Sequence, residues 1–308
     1  MSYESEMLRK LKMPSQEEVE KALLKSLYNH NGTIKEFTSG EEIVEEIADE
    51  FNLTEEQKRT YLETIYRKEN RIKKSSLWHR LLYRAADSLA KQKMVSRPSH
   101  TYLLTNRKEW MLTERGYNIF LDTIKISRDQ NKNFDINTYE VVKTVKKLKK
   151  QIKPNNYMPI YKGRRSKKVS KITDIRDRSF RQIVIQEYDY RCSICGLKIY
   201  SPVLFQWEVE AAHIIPQSRN GRSDIWNGLS LCHFHHWAFD VGWFSLSNDF
   251  RILTSKHIND IPSWMGNMWD INIIQKTSKG SGLIVLPENK NFWPDQQAIN
   301  WHRENILK

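Results

Sequence analysis

Long apolar runs are missing from this 308-residue sequence. None approaches the roughly 20 residues that a bilayer-spanning helix requires. The opening stretch MSYESEMLRKLKMPSQEE also lacks the apolar centre of a secretory signal. Both absences lead to the expectation of a cytoplasmic protein with no membrane partner. Cysteine is scarce, with three residues in all, Cys192, Cys195 and Cys232. An odd count without a secretory signal argues against a disulfide framework and for metal binding or catalysis. No internal repeat is visible, which removes solenoid architectures. Acidic residues are outnumbered, 37 against 50 basic ones, for a net charge of +13. What is present, 39% hydrophobic and 11% aromatic residues, suffices for globular cores, and the length leaves room for two domains.

The excess charge is concentrated. Between Lys143 and Arg181 there are 15 Lys or Arg against only Asp174 and Asp177, so this stretch carries the whole net charge. It includes KTVKKLKK and KGRRSKK, the latter with Arg164, Arg165, Lys167 and Lys168. A polyanion partner needs such a segment, because each neutralised phosphate releases counterions. A solvated linker would have the same composition. Residues 128–175 read as a basic linker, polar and holding Pro154 and Pro159, with a helix over 136–152.

Ahead of it, residues 1–127 read as helices followed by a hairpin. Ser15 and Glu18 have capping-box spacing, and Val19, Ala22, Leu23 and Leu27 follow at helical intervals. Ile43, Ile47 and Phe51 form a second stripe, and residues 54–70 read as a further helix. After Ser75-Ser76, an N-cap candidate, Trp78, Leu81, Leu82, Ala85 and Leu89 make an apolar face, with Arg80, Arg84 and Lys91 elsewhere on the helix. VSRPSHTYLL and KEWMLTERG read as two extended arms joined by a turn at Asn106-Arg107-Lys108. Helices, a basic-faced helix and a hairpin ending in WMLTERG resemble a winged helix. The order resembles in particular the N-terminal domain of Mrr-type restriction proteins, across roughly residues 15–125. That resemblance implies double-stranded DNA as partner, with Arg80 and Arg84 on the reading helix and Arg107 and Lys108 on the wing. Winged helices also serve protein–protein contact.

Residues 176–308 form the second globular region. Cys192-x-x-Cys195 follows a helix-like stretch, RSFRQIVIQEYDYR, and Cys232-x-x-His235 comes later in the chain. Two such knuckles suit structural zinc, which takes four N or S ligands in a tetrahedron. His233 is the weaker candidate for fourth ligand. Between the knuckles, WEVEAAHII reads as a strand ending near His213, then a long loop with Gly221 and Asn227, then a helix starting near Cys232.

The set C-x2-C, AHI-x-P, NGL-x-LC and HHxxFDxG resembles the HNH nuclease family, restriction-associated members included. The resemblance implies a ββα-metal domain hydrolysing DNA phosphodiesters. In it His213 is the general base, Asn227 orients the loop or ligates metal, and His236 binds a catalytic Mg²⁺ or Mn²⁺. On the expected helix, Cys232 and His235 project to one side, while His236 and Asp240, at i and i+4, share a face roughly 90° around. One helix can thus serve both a zinc and a second ion. Many family members carry Asp or His directly before the base. Here that residue is Ala212, and Asp240, or less favourably Glu210, stands in. Trp264, Trp269, Trp293 and Trp301 suit packing better than base stacking, and His257 and His302 receive no role.

The expected class is therefore α+β: an N-terminal winged helix, a basic linker and a C-terminal HNH domain with a structural zinc. The expected activity is restriction-type DNA cleavage, with methylation dependence left open and a homodimer implied if both strands are cut. A non-catalytic zinc-stabilised DNA-binding protein and a homing endonuclease are the alternatives.

Overall fold

The computed structural model describes residues 3–66, 71–125, 136–161, 170–202, 206–260 and 282–308. The chain divides into two compact units, Met1–Lys143 and Thr144–Lys308. No helix among the described residues is long and apolar enough to cross a membrane.

In the first unit, α1 (Tyr3–Lys10) precedes α2 (Gln16–Asn29), which starts where the capping box was expected: Ser15 Oγ accepts from the Glu18 amide and the Glu18 side chain accepts from the Ser15 amide. Strand β1 (Thr33–Lys35), α3 (Glu41–Glu50) and α4 (Glu55–Arg59) follow. The helix expected over 54–70 stops after α4, and the chain turns into an antiparallel hairpin of β2 (Tyr61–Tyr66) and β3 (Arg71–Ser76). Its residues Tyr61, Thr64, Ile65 and Tyr66 are β-branched or aromatic, which favours strand over helix. Ser76 then caps α5 (Leu77–Lys91), accepting from the His79 amide. The apolar face of α5 is buried as the spacing requires, with Trp78, Leu81, Leu82, Ala85 and Leu89 all nearly inaccessible, and Trp78 Nε1 donates to Val44 O at 3.2 Å.

The expected two-armed hairpin is also revised. In the first arm only β4 (Val95–Ser96) is extended; Pro98 opens a helix, α6 (Pro98–Thr105), ended by Asn106 in the left-handed conformation (φ 60°). Proline suits the first helical position because it has no amide hydrogen to leave unpaired there. Strand β5 (Glu109–Leu112) and α7 (Glu114–Thr123) complete the unit, and β1-β5-β4 form an antiparallel sheet.

Within the stretch read as linker, helix α8 (Tyr139–Leu148) falls where a helix was expected over 136–152. Farther along it, Tyr157 is buried, and its hydroxyl donates to Asp224. The second unit continues with α9 (Ser170–Glu187), β6 (Val209–His213), β7 (Gly228–Cys232) and α10 (His233–Asp240). Strands β6 and β7 pair antiparallel, His213 opposite Gly228 and Glu210 opposite Leu231. Strand β7 falls where the sequence read as loop. All five of its residues are buried, Gly228 and Ser230 included. A hairpin of β8 (Phe244–Leu246) and β9 (Ile252–Thr254) and the C-terminal α11 (Gln296–Asn305) close the unit. His302 of α11 stacks on Phe239 of α10 with centroids 3.6 Å apart. It donates from Nε2 to Phe239 O at 3.2 Å and accepts at Nδ1 from Ser245 Oγ at 2.9 Å. Burial without a charged partner pushes its pKa down to about 4, so it packs as a neutral ring.

Candidate active site and metal centre

The first knuckle is a tight turn after α9. Cys192 N donates to Leu197 O, Gly196 N donates to Cys192 O, and Ser193 N donates to Ser230 O at 2.7 Å, which ties the knuckle to β7. Gly196 adopts φ +74°, a backbone region that costs glycine little. The second knuckle is built by a helix start. Cys232 is the N-cap of α10, and His235 lies in its first turn. The four donors Cys192, Cys195, Cys232 and His235 lie within 4.8 Å of one another, and three of them are buried. His235 directs Nδ1 at the sulfurs, 3.0 Å from Cys232 and 3.4 Å from Cys192. Sulfurs about 2.3 Å from a tetrahedral ion stand about 3.8 Å apart, so the cluster has the size of a closed zinc site.

The electrostatics agree. Although burial acts to lower the His235 pKa, hydrogen bonds and charge from Cys192 and Cys195 outweigh it and push it up to about 9. Hydrogen bonds from Cys192 and Cys232 hold the Cys195 thiol well down, whereas Cys232 is driven up by its two cysteine neighbours. Three sulfurs this close cannot all ionise unless a cation sits between them. This set could hold a metal ion. His233 stays outside it, exposed, with Nδ1 3.2 Å from Glu208 and Nε2 3.4 Å from Glu210.

A second cluster lies on another side of α10. His236 Nδ1 is 2.9 Å from Glu210 Oε2 of β6, and its Nε2 is 3.5 Å from Asp240 Oδ2. The helix thus presents His236 and Asp240 together, as their spacing requires. Glu210, the less favoured residue in the sequence, is the nearer carboxylate. One imidazole gives a given ion one nitrogen, so only one of the two carboxylates could share an ion with it. Burial acts to lower the His236 pKa, but its hydrogen bond with Glu210 and the charge of Asp240 leave it raised. Glu210 is lowered, chiefly by that hydrogen bond, and Arg181 of α9 lies 3.9 Å away. Burial raises Asp240. Asp240 remains about half exposed, so this cluster is open to solvent where the first is closed.

His213 ends β6 in a third environment. Its ring stacks on Phe180 of α9 at 4.1 Å, and Nε2 is 3.2 Å from Ser223 Oγ. The loop beyond it is held by Asn227, which is fully buried. The Asn227 Oδ1 accepts from Ile215 N at 2.9 Å, while Nδ2 donates to Ile215 O at 3.0 Å and Arg222 O at 2.8 Å. Both ends of this amide are spent on backbone. Gly221 is required in the same loop, because a Cβ there would stand 1.8 Å from Ile215 O.

Sequence reasoning missed Asp177, Gln217 and Ser223 around His213, and it missed a basic recess. Lys147, Arg176 and Arg222 line a cavity of about 390 Å³ that also borders Ser223. The Arg176 and Arg222 guanidinium groups lie 5.1 and 4.9 Å from the ring centre of Tyr161. No local spacing links these residues; only their shared basic character was visible.

In the first unit, Arg80 and Arg84 project together from α5, as their i,i+4 spacing implies, and both pair with Glu4 of α1. Arg107 and Lys108 are exposed in the turn before β5. Arg164, Arg165, Lys167 and Lys168, like Trp264 and Trp269, lie outside the described residues. Trp293 packs edge-on against Phe250, and its Nε1 donates to Pro287 O at 2.9 Å. His257 pairs with Asp260.

Residues 192–247 match the family model of the HNH endonuclease (HNH_2), so the second unit carries an HNH endonuclease domain. No curated protein matches the chain. Among solved structures it is similar to a modification dependent TagI restriction endonuclease, at 20% identity and a TM-score of 0.29. That match covers 42% of this chain and 38% of the other. A likeness of that extent carries no argument about function.

Proposed function

We propose, from the HNH endonuclease domain at residues 192–247, that this protein is a restriction-type DNA endonuclease that hydrolyses phosphodiester bonds with a divalent ion. The observation that carries the reading lies inside that domain. One strand–strand–helix unit offers an imidazole at the end of β6 and an open imidazole–carboxylate pair on α10, beside a separate closed Cys₃His set. A zinc-stabilised binding module needs only the last of these.

The residues divide the labour. Cys192, Cys195, Cys232 and His235 hold zinc, which stabilises the fold. His236 and Asp240 hold the catalytic ion. Donor atoms about 2.1 Å from one ion stand about 3 Å apart, and the 3.5 Å between His236 Nε2 and Asp240 Oδ2 is close to that. Glu210 takes the opposite ring nitrogen and turns the imidazole, as carboxylates behind metal-ligating histidines do. When bound, a Mg²⁺ or Mn²⁺ there would neutralise charge on the phosphate and the leaving oxygen. His213 removes the proton from the attacking water. Asn227, its amide spent on backbone, fixes the loop rather than ligating metal. The recess of Lys147, Arg176 and Arg222 takes backbone phosphates near the cut.

The first unit reads as the winged-helix reader. The order α2, β1, α3, then α5, β4, β5, with the three strands in one sheet, supports this, although α6 stands where a wing strand was expected. Arg80 and Arg84 would contact DNA after releasing Glu4, and Arg107 and Lys108 would contact it from the turn. One HNH site cuts one strand, so double-strand cleavage calls for a dimer or two nicks. Digestion of methylated and unmethylated plasmid with Mg²⁺ or Mn²⁺, followed by end sequencing, tests activity, site and modification dependence together. Intact plasmid under every condition would refute the reading.

A further inference from the structure

Beside the basic recess, and wholly within the second unit, lies a larger cavity of about 710 Å³. Its lining comes from two chain segments: Tyr157, Met158 and Tyr161 from the stretch that follows α8, and Arg222 and Trp226 from the loop leading to Asn227. The segments are tied together. Arg222 N donates to Pro159 O at 2.9 Å, Tyr161 N donates to Asn220 O at 3.0 Å, and the Tyr157 hydroxyl donates to Asp224. Trp226 is held as well, edge-on to Tyr157 with centroids 5.2 Å apart and with Nε1 donating to Asn291 O at 2.6 Å. The cavity is therefore built before anything enters it, which lowers the cost of binding.

The lining chemistry suits a flat ring. The Arg222 guanidinium lies 5.7 Å from the ring centre of Tyr157 and 4.9 Å from that of Tyr161. Aromatic rings and guanidinium planes are the surfaces on which unpaired bases stack. Asn156 and Gln151, both exposed in the lining, carry amides with donor and acceptor atoms for a base edge. Ile152 and Met158, 81% and 46% exposed, are apolar side chains of the kind that proteins wedge into base steps. The neighbouring recess adds the second half. Gln151, Arg222 and Trp226 line both cavities, and Lys147 and Arg176 line only the recess. An aromatic compartment thus shares a wall with a cationic one. A peptide side chain would fill the first and leave the cations unmatched, and a lone phosphate would do the reverse. A nucleotide has both parts, a planar ring and a phosphate joined through a sugar.

We propose that the larger cavity takes one unpaired nucleobase of the DNA substrate, with the adjoining phosphate in the recess. That the polymer is DNA rests on the nuclease reading above; the ring-plus-phosphate chemistry does not. Arg222 precedes Ser223, whose Oγ stands 3.2 Å from His213 Nε2. A nucleobase seated against Arg222 therefore fixes the register of the strand relative to His213, and the cavity becomes a specificity determinant within the nuclease unit itself. Extrusion costs least where the nucleobase is already mismatched or bulged. No covalent bond is made or broken in this step.

The test measures binding by the full-length, zinc-loaded protein without Mg²⁺ or Mn²⁺, so that no cleavage is needed. Its probes are duplexes with one bulged nucleotide, each of the bases in turn, and the same duplex with a bulged abasic residue, which is as flexible but has no ring. The wild type should bind at least one bulged base about 5–150-fold tighter than the abasic bulge, the usual contribution of one stacked base. Tyr161→Ala removes a stacking ring, and Asn156→Trp fills the cavity from an exposed position. Each should abolish the difference, with zinc content and thermal melting checking the fold. A photo-crosslink from a bulged iodouracil should map to residues 151–161 or 222–226. Equal affinity for base and abasic bulges in the wild type, a difference retained by either folded variant, or a crosslink confined to other residues would overturn the proposal. So would competition by free deoxynucleoside monophosphates without any gain of base over abasic bulge, since the cavity would then take a free nucleotide. If the base preference holds but no divalent ion supports plasmid nicking, the nuclease reading fails and the assignment of the cavity stands.

Discussion

Helix α10 borders two clusters of ligand-type side chains, and they are built on opposite plans. The Cys192/Cys195/Cys232/His235 set is mostly buried, rich in sulfur and complete at four donors. The Glu210/His236/Asp240 set is open, holds only nitrogen and oxygen donors, and sets the His236 ring between two carboxylates. Closed sulfur-rich sites use their metal for folding, and open ones leave coordination positions for substrate. Residues 232 and 235 meet one environment and 236 and 240 another because the helix turns 100° per residue. Adjacent histidines can therefore serve unrelated tasks.

The sharpest way to break this contrast is to remove a cysteine. Cys232→Ser should unfold the second unit, because apparent zinc-binding free energies of about 10–16 kcal/mol reside in such sites. Zinc content near zero with a lost thermal transition, the first unit still melting, is the expected record. Glu210→Gln should leave zinc content intact yet raise the Mn²⁺ needed for half-maximal nicking about 10–100-fold, since only the open cluster loses an orienting partner. His236→Ala should be worse, and Asp240→Asn should remove whatever rescue excess Mn²⁺ gives it.

Much of this contrast is legible in the amino-acid sequence. C-x-x-C, C-x-x-H and the i,i+4 pair His236/Asp240 are local spacings, and local spacings survive folding. The Ser15 capping box and the buried face of α5 are readable for the same reason. The failures are non-local or ambiguous. Residues 61–76 carry hairpin-forming β-branched and aromatic side chains inside a highly charged stretch that also suits helix. Pro98 is compatible with an extended arm but opens α6. Strand β7 is only five residues long and begins at Gly228, beside Asn227, a pair that reads as a turn. Asp177 reaches Ser223 from 46 positions away, and no motif announces it.

Smaller effects refine the comparison. His302 clamps α10 to α11 as a neutral ring with its pKa lowered to about 4. The folded state therefore binds fewer protons than the unfolded one between about pH 4 and 6.5, and its contribution is full above that window and lost as pH falls through it. At pH 5.5 the loss should be about 1 kcal/mol relative to pH 7.5, seen in urea midpoints and absent from His302→Gln. Smallest of all, Lys147→Ala or Arg222→Ala should lower the salt dependence of DNA binding by about one unit of logarithmic slope for each phosphate no longer neutralised.

The most direct measurement of the central claim is plasmid nicking by His213→Ala, with zinc content and DNA affinity determined on the same sample. His213 belongs to neither ligand set, so zinc and affinity should match the wild type. Nicking should fall about 10²–10⁴-fold, the usual contribution of a general base. Wild-type nicking rates from a preparation free of contaminating nuclease would contradict the account.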